Sequence, residues 1–167
     1  MRLREFQSKL WLPRSRAEVF AFFADPANLD AITPPWLNFR TVTPGPIEMR
    51  PGTLIDYKLR IRGIPVRWRT KITAWEPPVR FVDEQIRGPY RLWVHERTFE
   101  ECDGGTLMRD WVRYAVPFDF IAHWLVVRRD IERIFANRTE CLQRRFGAPV
   151  AGSTALPSGP KLTRQFF

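Results

Sequence analysis

The chain has 167 residues, enough for one domain with one sizeable core, and its 44% hydrophobic and 27% charged residues exclude an intrinsically disordered chain. A formal net charge of +9 suits anionic partners such as an acidic membrane surface or an acidic protein. Two cysteines without a C-x-x-C pair and two separated histidines exclude a structural zinc cluster, and no apolar run reaches the roughly 20 residues of a membrane-spanning helix.

Residues 3–12, LREFQSKLWL, read as a first strand. PRSRAEVFAFFAD follows, in which Ser15 and Glu18 have the S-x-x-E spacing of a capping box, with Val19, Phe20, Phe22 and Phe23 as the apolar face of a short helix. Asp25-Pro26 repeats the start signal, an N-cap acid before proline, for a second short helix ending at Thr33-Pro34-Pro35. From about 38 to 116 the period is two. FRTVTP is a short strand, and TLIDYKLRI (53–61) and PVRWRTKITAW (65–75) are two longer ones. Arg62-Gly63-Ile64-Pro65 between them reads as a tight hairpin with Gly at the first loop position. Opposed residues there sum to about 127, which pairs Leu59 with Trp68, Tyr57 with Thr70 and Ile55 with Ile72. The other face then sets Arg60 against Arg67 and Lys58 against Arg69.

VRFVDEQI is a further strand, turned by Arg87-Gly88-Pro89 into YRLWVHERTFEECDGGTLMRDWVRY, a hairpin about Asp103-Gly104. Opposed numbers sum to about 207, pairing Phe99 with Met108, Arg97 with Asp110, His95 with Val112 and Trp93 with Tyr114 on one face. The 3.6-residue period returns at 119. Phe120, Trp124, Val127, Ile131, Ile134, Phe135 and Leu142 form a stripe on a helix running to about Phe146, with Gly147 as its stop. Residues 148–167 lose all periodicity and read as a flexible C-terminal tail. One domain over 1–147 is expected.

The order β-α-α-β6-α fits an α+β protein in which a twisted antiparallel sheet of about seven strands wraps a long C-terminal helix. A curved sheet and a straight helix fit imperfectly. The gap between them, lined by the abundant aromatics, is a candidate ligand pocket.

The segment FQSKLWLPRSRAEVFAFFADPANLDAITPPW and the run FVDEQIRGPYRLWVHERTFEECDGGTLMRDWVRYAVP carry a resemblance. Over about residues 3–147 the chain resembles the SRPBCC superfamily, also called START-like or Bet v 1-like, and within it polyketide cyclase/dehydrase-like bacterial proteins. The resemblance implies the helix-grip fold and a hydrophobic ligand: a lipid, polyketide, quinone or similar molecule. Where some relatives carry a second histidine, this chain has Arg97.

Bottom-up, His95, Arg97 and Asp110 fall on the sheet phase that should face the core. They are the catalytic candidates and form a polar end to an apolar cavity; the alternative is a satisfied polar cluster that fixes strand register. Asp83 and Gln85 share the phase of Phe81 and are read as facing the same cavity; the alternative sets Asp83 and Glu84 at a solvated strand end. Tyr57, Leu59, Trp68, Trp93, Tyr114, Trp124 and Ile131 complete the candidate ligand-binding set.

No G-x-S-x-G, phosphate loop or metal signature is present, and neither cofactor nor metal is expected. The main reading is a binder of a hydrophobic small molecule. One alternative is a cyclase- or dehydratase-like lyase or isomerase, with His95 as general base and Arg97 holding an enolate. Another is an interaction module that docks its basic sheet face on a membrane or an acidic protein. Nucleic acid is not an expected partner, because no stacking motif accompanies the basic face. The charged, alternating start MRLREFQSKLW is not read as a secretory leader. With Cys102 and Cys141 read as reduced thiols, it leads to an expectation of a cytoplasmic protein.

Overall fold

The computed structural model describes residues 2–117 and 121–147, and of 121–125 only the backbone. The elements are β1 (Arg4–Leu12), α1 (Arg16–Ala24), α2 (Asn28–Ala31), a 3-10 turn (Pro35–Leu37), β2 (Arg40–Thr41), β3 (Leu54–Ile61), β4 (Ile64–Glu76), β5 (Arg80–Arg87), β6 (Leu92–Cys102), β7 (Gly105–Ala115) and α3 (Ile121–Phe146). Among the described residues, seven strands form one antiparallel sheet in the order β1-β7-β6-β5-β4-β3-β2. This is the α+β helix-grip arrangement. The C-terminal tail at 148–167, Phe120 and the Trp124 side chain lie outside what is described. Among the described residues, no helix is long and apolar enough to cross a membrane.

The β6–β7 hairpin has the expected register: Phe99 faces Met108, Arg97 faces Asp110, His95 faces Val112 and Trp93 faces Tyr114. Its two loop residues, Asp103 and Gly104, both take positive φ (49° and 73°), as a tight primed turn requires.

The β3–β4 hairpin corrects the expectation. Its loop is Arg62-Gly63, with φ of 51° and 82°, so glycine occupies the second loop position. The pairs are Tyr57–Trp68, Leu59–Val66 and Ile55–Thr70, two residues away from the expected register. A shift of two keeps every side chain on its face, so the apolar face survives. The outer face changes. Arg60 meets Pro65, Lys58 meets Arg67, and Asp56 meets Arg69, accepting from its Nε at 2.8 Å and its Nη2 at 2.9 Å. Of the two like-charge pairs expected, one like-charge contact remains, with a different partner.

The short helices also differ in detail. Ser15 Oγ accepts from the Glu18 amide at 3.3 Å, which is half of a capping box, while the Glu18 carboxylate lies 3.5 Å from Arg14 instead of returning to the cap. Asp25 accepts from the Ala27 amide, and α2 starts later than expected, at Asn28. The unexpected 3-10 turn follows where Pro34-Pro35 stops the helix.

The buried apolar residues fall into three clusters. Phe20, Phe22, Phe23, Phe81, Phe99, Met108, Leu142 and Phe146 join α1, the sheet and the end of α3. Val112, Tyr114, Val116, Ile131 and Phe135 join β7 to the middle of α3. Ile55, Tyr57 and Ile72 lie on the far strands β3 and β4. A well-packed domain of this size has one contiguous core. Here Leu29 and Trp75 bridge the first and third clusters, the Trp68–Trp93 contact links the second and third, and a cavity opens among them.

Candidate functional site

Strand alternation brings the charged cluster together. Arg97 and Asp110 are directly opposed on β6 and β7, and His95 is two residues along the same face. Asp110 is 3% exposed. Its Oδ1 lies 2.7 Å from His95 Nε2 and accepts from Arg97 Nε at 2.8 Å, while Ser8 of β1 donates to Oδ2 at 3.3 Å. Burial alone would raise the Asp110 carboxyl, but the Arg97 charge and the His95 hydrogen bond outweigh it and hold the group well below the usual carboxylate range. The Arg97 guanidinium lies over the Phe23 ring at 4.3 Å and near Phe81 at 5.3 Å, so the ion pair has aromatic walls.

The carboxylate also fixes the imidazole. Nε2 must carry a proton to donate to Asp110, which leaves the lone pair of the neutral ring on Nδ1. That nitrogen faces Asp83, whose Oδ1 is 3.6 Å away.

In front of this cluster lies a cavity of about 540 Å³, bounded by β3, β4, β5, β6, the α1–α2 segment and α3. Its wall is mainly aromatic and aliphatic: Phe23, Tyr57, Leu59, Trp68, Phe81, Trp93, Ile131 and Phe135. One end is polar and carries Asp83, His95, Arg97 and Arg138. Arg62 of the β3–β4 turn and Asp130 of α3 stand at the cavity and form a two-point ion pair at 2.9 and 3.0 Å, tying the hairpin tip to the helix. Nearby, Arg133 lies over the Trp36 ring at 5.2 Å.

Eight residues of the candidate set line the cavity: Tyr57, Leu59, Trp68, Asp83, Trp93, His95, Arg97 and Ile131. Three others lie elsewhere. Asp110 is behind His95 and Arg97, one layer from the cavity. Gln85 is tied to the turn, donating to the Tyr90 carbonyl at 2.7 Å and accepting from the Tyr90 amide at 3.3 Å. That spends its side chain on holding Arg87-Gly88-Pro89. Tyr114 is packed among Val112, Ile131 and Phe135. The remaining one, the Trp124 side chain, is not described.

Sequence reasoning missed Arg138 and the aromatic walls Phe23, Tyr90 and Phe135. The signal for Arg138 was present. In the helical stripe 131, 135, 138, 142, the steps are four, three and four, and only position 138 is polar.

Depth tunes the polar end. Burial raises the Asp83 carboxyl despite the opposing pull of His95, Arg97 and Arg138. The Asp83 side chain keeps 20% exposure, which is cavity surface, and its desolvation reflects distance from bulk water. Burial, then Asp83, pushes the Tyr57 phenol up. Burial, then repulsion from Arg97, brings Arg138 down to about 10, which leaves it charged at neutral pH. Among the described residues, no group of three or more His, Cys, Asp or Glu side chains is placed to hold a metal ion.

A family model described as polyketide cyclase / dehydrase and lipid transport matches residues 12–146. No curated protein gives a significant match. Among solved structures, the Zhui aromatase/cyclase from Streptomyces sp. R1128 superposes with a TM-score of 0.69 at 12% identity, covering 93% of this chain and all (100%) of that one. The protein TTHA0849 from Thermus thermophilus gives 0.65 at 16% identity, covering 86% and 97%. Ara h 8.0201 gives 0.63 at 16% identity, covering 87% and 98%. At these identities the likeness shows the fold alone.

Proposed function

The chain belongs to the polyketide cyclase/dehydrase and lipid transport family, and from that premise we propose that it binds one hydrophobic small molecule in the cavity between sheet and α3. The observation that carries this reading is the cavity itself. It measures about 540 Å³, with a mainly aromatic wall, a cluster of Asp83, His95, Arg97 and Arg138 at one end, and the paired Arg62 and Asp130 elsewhere on its lining. Ligand pockets of about 300–1,000 Å³ hold drug-sized molecules, and a few placed polar groups orient them. The ligand is therefore largely apolar, with an oxygen-bearing end that meets the His95–Arg97 cluster.

Native mass spectrometry of protein purified from its own host tests this reading. A co-purifying small molecule, released on denaturation, is the expected result. Protein that carries nothing and also fails to take up apolar fluorescent probes overturns it.

A second reading has its own support. His95 is oriented by Asp110, its Nδ1 lone pair is on the cavity side, and the Arg97 guanidinium stands beside it. A base next to an oxyanion donor is what enolisation of a bound ketone needs: the α-proton passes to Nδ1 and the charge develops on the oxygen near Arg97. With the co-purified molecule as substrate, His95→Gln abolishes turnover and leaves its affinity nearly unchanged if this reading holds. If the wild-type protein returns that molecule unaltered, only the binder remains.

A further inference from the structure

Arg138 is a cation of the polar end that the hydrogen bonds of the charge cluster do not use. It lies on the buried stripe of α3, between Phe135 and Leu142, and lines the cavity. Among the described residues its buried Nε has no hydrogen-bond partner, its guanidinium rests over the Phe135 ring at 4.9 Å, and the residue as a whole is half-buried. A ligand that fills the site would strip the remaining water from this half-buried cation, and a desolvated cation without a hydrogen-bonded counter-ion is costly, so the ligand must offset it.

The charged groups that face Arg138 are Asp83, Asp110, Arg97 and the Tyr57 phenol. Asp110 is already filled by Arg97, His95 and Ser8. Burial raises the Asp83 carboxyl, no hydrogen bond joins it to Arg138, and burial pushes the Tyr57 phenol up as well. Arg97 thus has a hydrogen-bonded carboxylate, while Arg138 faces the cavity with no hydrogen-bonded carboxylate among the described residues.

We propose that this end of the cavity is a carboxylate-binding site, in which Arg138 supplies the principal cation for a singly charged, otherwise apolar ligand. The inference rests on the ligand-binding role proposed above and adds the class of the ligand. A carboxylate fits better than a phosphate ester. One negative charge answers the one guanidinium that lacks a hydrogen-bonded carboxylate, whereas a second would meet the Asp110 carboxylate behind the same end. A planar carboxylate also suits a guanidinium fork.

A matched pair of fluorescent probes tests the site: pyrenebutyrate and pyrenebutanol, which share their rings and chain and differ at the polar end. Fluorescence titration of the wild-type protein should give the carboxylate at least about tenfold tighter binding than the alcohol, the size expected of a charge-assisted contact. Arg138→Met, which keeps the length of the side chain, should bring the carboxylate down to the affinity of the alcohol and leave the alcohol unchanged. Arg138→Lys should restore most of the preference. The Tm of ligand-free Arg138→Met should equal or exceed that of the wild type, because the variant removes a desolvated charge; a purely structural arginine would show a lower Tm.

Equal binding of both probes by the wild-type protein overturns the carboxylate site and leaves the hydrophobic binder intact. A preference that persists in Arg138→Met overturns the assignment to Arg138. Failure of both probes to bind the wild-type protein overturns the inference together with the ligand-binding role. Should Arg138→Met not fold, the wild-type preference and the Arg138→Lys variant still decide the outcome.

Discussion

Asp110 takes hydrogen bonds from β1 and from two residues of β6 into one buried carboxylate. Removing its charge strands the Arg97 guanidinium between Phe23 and Phe81. Asp110→Asn should therefore destabilise the protein by about 3–5 kcal/mol, the usual cost of breaking one side of a buried ion pair. Chemical denaturation at neutral pH measures it. Because the folded-state pKa of Asp110 is depressed, its contribution is complete above about pH 3.9, the unfolded value, and fades only as the pH falls through the lower folded value. Asp83 behaves oppositely. Its folded pKa is raised, so its favourable contribution is complete below about pH 3.9 and is lost as the pH rises through the folded value. Asp83→Asn should raise the Tm near pH 7, and the gain should shrink as the pH is lowered toward 4; thermal melts across that window check the sign. The cluster of His95, Arg97 and Asp110 was legible because charged side chains on an otherwise apolar alternating face are rare. Arg138 was not, because a lone arginine among Arg128, Arg129 and Arg133 reads as part of a basic helix surface. Only its place in the 131-135-138-142 series separates it from them.

At the scale of elements, turn chemistry decided what could be read. Asp103-Gly104 is a residue pair that favours a primed turn, and it set the β6–β7 register correctly. Arg62-Gly63 forms the same kind of turn, but it places an arginine at φ 51°, a conformation that arginine does not advertise. The loop was therefore set one residue late and the register two residues off. The true register aligns Arg40, Lys58 and Arg67 as a row of three cations across β2, β3 and β4. Like charges directly opposite each other are unfavourable. Lys58→Glu converts the row to alternating signs and should stabilise the protein by about 0.2–1 kcal/mol, with the gain falling as salt screens it. Thermal melts at low and high salt measure both parts. An unchanged stability would mean that the row is already screened by water.

At the scale of the molecule, the three apolar clusters and the space between them make different predictions for similar substitutions. Phe99 is packed against Phe20, Phe23 and Phe81, and Phe99→Ala should cost about 3–5 kcal/mol, as large-to-small changes in a tight core do. Leu59 is only 8% exposed and yet belongs to none of the clusters; it lines the cavity. In a filled core, Leu59→Trp would overpack and cost about 1–3 kcal/mol. Here the indole has free volume to enter and apolar walls to meet, so the variant should fold with an unchanged or higher Tm. The same indole takes up ligand space, and binding of apolar probes should fall at least about tenfold, the effect of losing roughly 1.4 kcal/mol of contact. Denaturation and probe titration on the one variant therefore test the architecture together. Loss of stability with binding retained would mean that the clusters close up around position 59 and that the ligand site lies elsewhere; stability kept with binding lost is what a curved sheet held off a straight helix requires.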